Sequence, residues 1–289
     1  MANHHFGKFA DVWKHLTLVE VLALERPSRY AETHSGSGAN AMLVDPERRF
    51  GVLRFLEIAD TTASLGQSRY RALLKQFGDV RSFYPGSALL AMAQLGVSTS
   101  YLLCDLDPVS VEDLRAWSAR LGITQCEIAQ ADGMTAVLDW LDDSAGSATP
   151  RHVVVHVDPF DPHSRLADGL SALDLAGRLV DEGYGLVYWY GYDSPNEASW
   201  AYHSLRETTQ GPLWCGDVML VDETGAGRPG DLGRASTSGT GSGIVLANVS
   251  ENTRTTCLAL GEALASAYSG STVPDGTRGH VRFSVHERP

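Results

Sequence analysis

Short apolar runs rich in β-branched residues alternate with stretches of helical period along the chain. That alternation predicts an α/β fold: a doubly wound, mostly parallel sheet with helices on both faces. Three observations carry the prediction. His152 to Asp158 is a continuous β-rich apolar run stopped by Pro159, which suits a central strand buried on both sides. Arg29 to Glu32 runs directly into a turn with glycine at Gly36 and Gly38, where α/β proteins approach a nucleoside or dinucleotide. Four successive strand ends each deliver an acid to one edge: Glu32, Asp105, Asp132 and Asp158.

The elements follow in order. Residues 8–25 read as a helix, with Ala10, Trp13, Leu16, Val21 and Leu24 at helical spacing and Pro27 ending it. The first strand lies near 29–33. Residues 45–83 alternate apolar and charged positions at helical period, predicting two or three helices inserted after the glycine turn (about 41–84). Tyr84-Pro85-Gly86-Ser87 turns into a helix ending near Leu95. Strand 100–105, helix 110–121, a short strand near 126–128 and helix 134–143 come next. After the loop 144–150, the central strand leads to helix 166–182, strand 185–190, helix 197–209 and strand 218–221. Residues 225–243, rich in Gly, Ser and Thr, read as a mobile loop. Strand 243–249, helix 253–268 and strand 280–285 complete a chain read as a single domain.

Composition narrows the function. The 289 residues carry 43% hydrophobic and 20% charged side chains, as in an ordinary soluble globular protein. No apolar run is long enough for a membrane span, and Met-Ala-Asn-His-His lacks the layout of a secretion signal. Four cysteines without a CxxC pair fit a reducing cytoplasm and argue against a zinc cluster. The net charge is −12, and Lys8, Lys14 and Lys75 are the only lysines. A nucleic-acid partner is therefore disfavoured, because gripping a phosphate backbone calls for a basic face. The expected partner is a small molecule; oligomeric state is not legible.

Ligands of open α/β sheets sit at the carboxyl ends of the strands. An acid after the second strand is where ribose hydroxyls would be held, which selects Asp105. Each strand-end acid taken singly also reads as a helix N-cap, for which Asp is favoured. Four in chain order favour a nucleoside site.

Several separated motifs carry a resemblance. Gly7-Lys8-Phe9-Ala10-Asp11-Val12-Trp13-Lys14-His15, Thr33-His34-Ser35-Gly36-Ser37-Gly38, Tyr84-Pro85-Gly86-Ser87 and Asp132-Gly133 stand in order along the chain. On these the sequence resembles the RlmJ-type methyltransferases, which use S-adenosylmethionine to methylate an adenine N6 of large-subunit ribosomal RNA. The resemblance implies a Rossmann-like class I methyltransferase fold with a seven-stranded sheet. It implies an S-adenosylmethionine site holding Lys14, His15, His34, Gly36, Gly38, Ser87, Asp105, Asp132, Gly133 and Asp158. It also explains why Asp105 lies far beyond the usual spacing of about 20 residues from the glycine turn.

One motif departs. The family carries Asp-Pro-Pro-Tyr after the fourth strand, where this chain has Asp158-Pro159-Phe160-Asp161. The stacking aromatic is replaced by a carboxylate, which forfeits base stacking of about 1–3 kcal/mol. The expectation is therefore an S-adenosylmethionine enzyme turned to small-molecule chemistry. One version transfers the methyl group to a small acceptor. The other cleaves or cyclises S-adenosylmethionine to methylthioadenosine and a cyclic amino acid such as 1-aminocyclopropane-1-carboxylate. The alternatives are the ribosomal RNA methyltransferase and a non-catalytic cofactor-binding protein. Asp158, Asp161, His5 and Tyr190 are the candidate catalytic groups, with Phe160 and His4 toward the substrate. His152 and His156 read as core or hydrogen-bonded strand residues. The Asp158–His163 stretch matches no strong metal motif, so no metal is expected.

Overall fold

The computed structural model describes residues 6–142, 149–161, 165–166, 169–192, 194–222, 241–269 and 279–289. The chain begins with α1 (Phe9–Glu25) and β1 (Arg29–Glu32), followed by β2 (Ala39–Ala41). Then come α2 (Pro46–Arg48), α3 (Arg54–Ala59), α4 (Ala63–Gly66) and α5 (Arg69–Phe77). The next elements are β3 (Phe83–Pro85), α6 (Ser87–Leu95), β4 (Ser100–Asp105), α7 (Pro108–Arg120), β5 (Cys126–Gln130) and α8 (Gly133–Asp142). After them come β6 (Val153–Val157), α9 (Ala172–Asp181), β7 (Gly185–Tyr192), α10 (Trp200–Thr208) and β8 (Leu213–Asp222). The last are β9 (Gly241–Ala247), α11 (Glu251–Tyr268) and β10 (Gly279–Arg288).

The sheet order is β10-β8-β9-β7-β6-β1-β4-β5. From β5 to β7 neighbouring strands run parallel; β9 is antiparallel to β7 and β8, and β10 to β8. The doubly wound, mostly parallel architecture is as expected, and the sheet has eight strands rather than seven. The count of seven belongs to the resemblance; the strands read from the sequence number eight, and the last of them, 280–285, is β10, whose ten residues lie along all of β8 and form one edge. The Gly/Ser/Thr-rich stretch lies largely outside the described residues, and its last residues, Gly241 to Gly243, belong to β9. Helix α9 starts at Ala172, later than the sequence suggests, because Ser171 caps it in a reciprocal pair with Asp174.

The chain leaves β1 for β4 on one side and later returns to β6 on the other. The strand order therefore reverses between β1 and β6, the kind of crevice where such sheets take ligands. Register sets Glu32 opposite His156 at this seam. α1 is buried on nearly all sides from Phe9 to Leu22, although its motif carries Asp11, Lys14 and His15. It rests on the sheet through Trp13, whose indole N–H donates to the Gly216 carbonyl at 3.1 Å. The inserted helices share its hydrophobic core: Phe55, Leu65, Tyr70 and Leu74 pack in one cluster with Leu16 and Val19. β2 and β3 pair antiparallel at the neck of the insertion. Polar side chains of α1 are thereby trapped between sheet and insertion, where each needs a partner.

Candidate active site

The turn after β1 depends on three glycines for three different reasons. Gly36 has φ +59°, a left-handed conformation that disfavours any side chain, and nothing lies within 4 Å of where its Cβ would stand. A Cβ on Gly38 would come within 2.8 Å of the Trp117 ring, so that glycine seats the loop on α7. A Cβ on Gly133 would lie 2.0 Å from the Thr33 carbonyl oxygen, so that glycine lets two backbones touch. Of the three, Gly36 leaves an open face.

Asp105 anchors this turn. Its Oδ2 accepts the Gly36 N–H and its Oδ1 the Asp107 N–H, each at 2.8 Å. A carboxylate oxygen has a second lone pair, so both remain acceptors for a pair of hydroxyls. Asp107 and Asp132 fit the capping reading. Asp107 accepts the Ser110 N–H at 3.3 Å and caps α7; Asp132 accepts the Thr135 N–H at 3.0 Å at the start of α8.

His34 marks where the strand ends converge. Its half-buried ring lies 2.8 Å, Nδ1 to Oγ1, from Thr33. Burial lowers its pKa, against the opposing pull of Asp158, Asp132, Asp105 and Glu32. All four strand-end acids therefore act on one imidazole.

Lys14 supplies the cation. Its ammonium lies 2.8 Å from Asp158 Oδ2, 3.1 Å from Asp11 Oδ1 and 4.9 Å from the centre of the Trp189 ring. Burial acts to lower the Lys14 pKa, but Asp158 and Asp11 outweigh it and the net is a rise. For Asp158, burial acts upward and Lys14 and His156 outweigh it, leaving an acid below its ordinary range. Asp11 ends above its ordinary value, because burial exceeds what Lys14 returns. Asp158 is thus a firmly ionised, weakly basic carboxylate.

A buried polar network lies beneath. Glu32 accepts hydrogen bonds from the Ser87 hydroxyl, from the Tyr30 hydroxyl at 3.2 Å and from His156 Nδ1 at 2.9 Å. Ser87, a residue expected to line the cofactor site, thus spends its hydroxyl on Glu32. His15 Nδ1 lies 2.7 Å from the Tyr84 hydroxyl, which is itself 2.7 Å from that of Tyr70. Burial, followed by the charges of Lys14 and His156, holds His15 well below its usual pKa, so the ring is neutral.

The structure takes Tyr190 away from the strand tips. Its ring is 1% exposed and its hydroxyl donates to Asp217 at 2.8 Å, in a cluster with Ser199 and Cys215. Burial raises its pKa well above the usual phenol range, which removes it as a base. Phe160 and Asp161 are exposed beside Asp158, Phe160 at 79%. His4, His5 and His163 lie outside the described residues. Among the described residues no three His, Cys, Asp or Glu side chains are grouped to hold a metal.

Asp11, Trp189 and the Glu32–His156 contact were not singled out from sequence. Asp11 had a signal, since it stands three positions before Lys14 on one helix face. The other two depend on register between distant strands.

The sheet and its flanking helices make a doubly wound, Rossmann-like α/β fold. Among solved structures, protein LPL1258 from Legionella pneumophila, of family DUF519, superposes with a TM-score of 0.69 at 21% identity, over 98% of each chain. Cofactor-bound Rv0187 from MTB gives 0.35 at 14% identity, over 83% of this chain and 81% of that one. An S-adenosylmethionine-dependent methyltransferase from Agrobacterium tumefaciens gives 0.34 at 16%, over 56% of this chain and 52% of that one. No family model matches the sequence, and no curated protein matches it.

Proposed function

We propose that this chain is an S-adenosylmethionine-utilising enzyme that works on a small molecule. The observation that carries the reading is the setting of the Gly36 open face: Asp105 holds that turn by its carboxylate, while Asp132 follows β5 and the Lys14-paired Asp158 follows β6 of the same sheet. A cationic adenosyl ligand suits that setting: two vicinal hydroxyls at Asp105, an adenine amino group at Asp132, and positive charge near Asp158. These are charge-assisted hydrogen bonds, the strong kind. When bound, S-adenosylmethionine supplies a sulfonium whose attached carbons are electrophilic, leaving as S-adenosylhomocysteine after methyl transfer or methylthioadenosine after cleavage or cyclisation.

The chain's own groups narrow the nucleophile. Asp158, held ionised by Lys14, orients an ammonium well but is too weak a base to strip a proton from carbon. That favours an amine nucleophile, on a small acceptor or on the ligand itself. The cyclic product would then be a four-membered imino acid rather than 1-aminocyclopropane-1-carboxylate. Enforced proximity supplies the rest of the barrier reduction.

A second reading is transfer to an adenine amino group of RNA, as in the RlmJ-type enzymes. The 79% exposed ring of Phe160 favours it, offering a face to a flipped base one position before the family's tyrosine. The net charge of −12 opposes it.

The test incubates purified protein with S-adenosylmethionine alone, with small amines, and with large-subunit RNA, followed by mass spectrometry. Methylthioadenosine without an acceptor, or S-adenosylhomocysteine with an amine, supports the proposal. S-adenosylhomocysteine formed only with RNA transfers the assignment to the second reading. Unchanged S-adenosylmethionine affinity in D105A and D132A would remove the site itself.

A further inference from the structure

Where the strand order reverses, β6 places His156 against Glu32 of β1. The imidazole is 0% exposed, and its Nδ1 lies 2.9 Å from Glu32 Oε1. Glu32 also receives the Ser87 and Tyr30 hydroxyls, so it serves as an acceptor toward three neighbours. With Glu32 as acceptor a ring hydrogen of His156 belongs on Nδ1, and in the neutral ring Nε2 is the lone-pair nitrogen. That Nε2 is buried and has no hydrogen-bond partner. Buried polar atoms are nearly always paired, so this one calls for an explanation.

Its surroundings supply one. Glu32 holds the ring at Nδ1 and itself accepts the Tyr30 hydroxyl, while Lys14 of α1 reaches Asp158 at the end of the strand that carries His156. His156 and Asp158 are two residues apart in extended chain, hence on one face and roughly 7 Å apart along it. The carboxylate best suited to hold an ammonium thus continues the strand face that carries the unpaired nitrogen.

We propose that the Glu32–His156 pair is the proton acceptor of the site, with Nε2 receiving the proton that an amine nucleophile held at Asp158 must lose. The inference rests on the amine-directed reading above. At neutral pH such an amine arrives as an ammonium, which has no lone pair. In the step one ammonium N–H bond breaks, its electron pair stays on nitrogen, and the proton bonds to Nε2 directly or through one water. Glu32 keeps the ring oriented through Nδ1–H and stabilises the imidazolium that forms, as the acid of a catalytic triad does for its histidine. Neither neighbouring carboxylate competes: Asp158 is too weak a base, and Glu32 faces away into three donors. His15 is excluded because its Nδ1 is committed to Tyr84 and its ring is held neutral.

The experiment records long-range ¹⁵N–¹H spectra of histidine-labelled full-length protein, free and saturated with S-adenosylmethionine, with H156Q used for assignment. Binding is followed separately by Trp189 fluorescence against a W189F control. The expected result is an Nδ1–H tautomer in the free protein and a shift of the Nε2 resonance on adding S-adenosylmethionine. E32Q, which leaves an amide at Nδ1, is expected to give mixed tautomers. An Nε2–H tautomer in the free protein overturns the inference. So does an Nε2 resonance that stays put while fluorescence reports binding, and either result leaves the cofactor reading intact. No binding in any assay removes that reading and this inference together.

Discussion

Lys14 and Asp158, 144 positions apart in sequence, meet at 2.8 Å, and Asp11 closes on the same ammonium at 3.1 Å. One buried cation thus serves two buried carboxylates, from the first helix and from the tip of a central strand. The contact joins the N-terminal motif to the Asp158 motif and makes both parts of one site.

Removing that cation should be costly. K14A leaves two carboxylates in a site from which water is largely excluded. Breaking a buried pair by deleting one partner costs about 3–5 kcal/mol. Urea unfolding of K14A should show a loss of that size, and D158N a smaller one because an amide still accepts from Lys14. A K14A variant within 1 kcal/mol of the parent would contradict the buried-pair account.

The glycines separate function from stability. G36A should lose roughly 1–2 kcal/mol from left-handed strain, keep its fold, and bind S-adenosylmethionine at least tenfold more weakly, since its methyl group enters the open face. In G133A the new methyl meets the Thr33 carbonyl at 2.0 Å, so the backbone must move. Its thermal midpoint should fall further than that of G36A. The two readings to compare are calorimetric binding and thermal unfolding; equal effects on both variants would refute the distinction.

Stability should fall as the solution is acidified below neutrality. His15 and His34 both have folded-state pKa values below the ordinary 6.5, burial being the main cause for each. Below pH 6.5 the unfolded chain binds protons that the native rings do not, so stability is fully present above that pH and declines below it. Asp11, raised by burial, acts in the opposite sense in more acid solution, while the depressed Asp158 adds its loss below about 3.8. The check is the thermal midpoint between pH 7.5 and 5.5. H15N should flatten the slope, and a midpoint independent of pH over this range would contradict neutral buried rings.

Phe160 discriminates between acceptors. Its exposed ring contributes little to the fold, so F160A should stay within about 0.5 kcal/mol of the parent and bind S-adenosylmethionine normally. Under the small-molecule reading, self-cleavage of S-adenosylmethionine should survive the substitution. A collapse of RNA methylation in F160A, with single-turnover rates as the readout, would instead support base stacking.

Much of this was legible in sequence for physical reasons that can be named. The His152–Asp158 run announces a strand because a strand buried on both faces is apolar at every position. The Gly36 turn announces itself because a bare backbone is needed where φ is positive. Helical period recovered α1 and the insertion. The last strand was legible as 280–285, while its full length and its place at the sheet edge depend on pairing with β8. Tyr190 was misplaced because alternation gives the two faces of a strand without saying which residues stop short of the tip.

By itself the sequence determined where strands and helices occur, that a glycine turn follows the first strand, and that acids end four strands. These are properties of short windows, governed by backbone sterics and the periods of helix and strand. Tertiary structure alone decided that Gly36 faces open space while Gly38 and Gly133 close on neighbours, that Ser87 turns to Glu32, and that His156 keeps a bare nitrogen. Those facts depend on contacts between elements from 55 to 124 residues apart and on the burial that follows. A side chain's partner is set by what the packed sheet brings within hydrogen-bonding distance, and no local pattern contains that information.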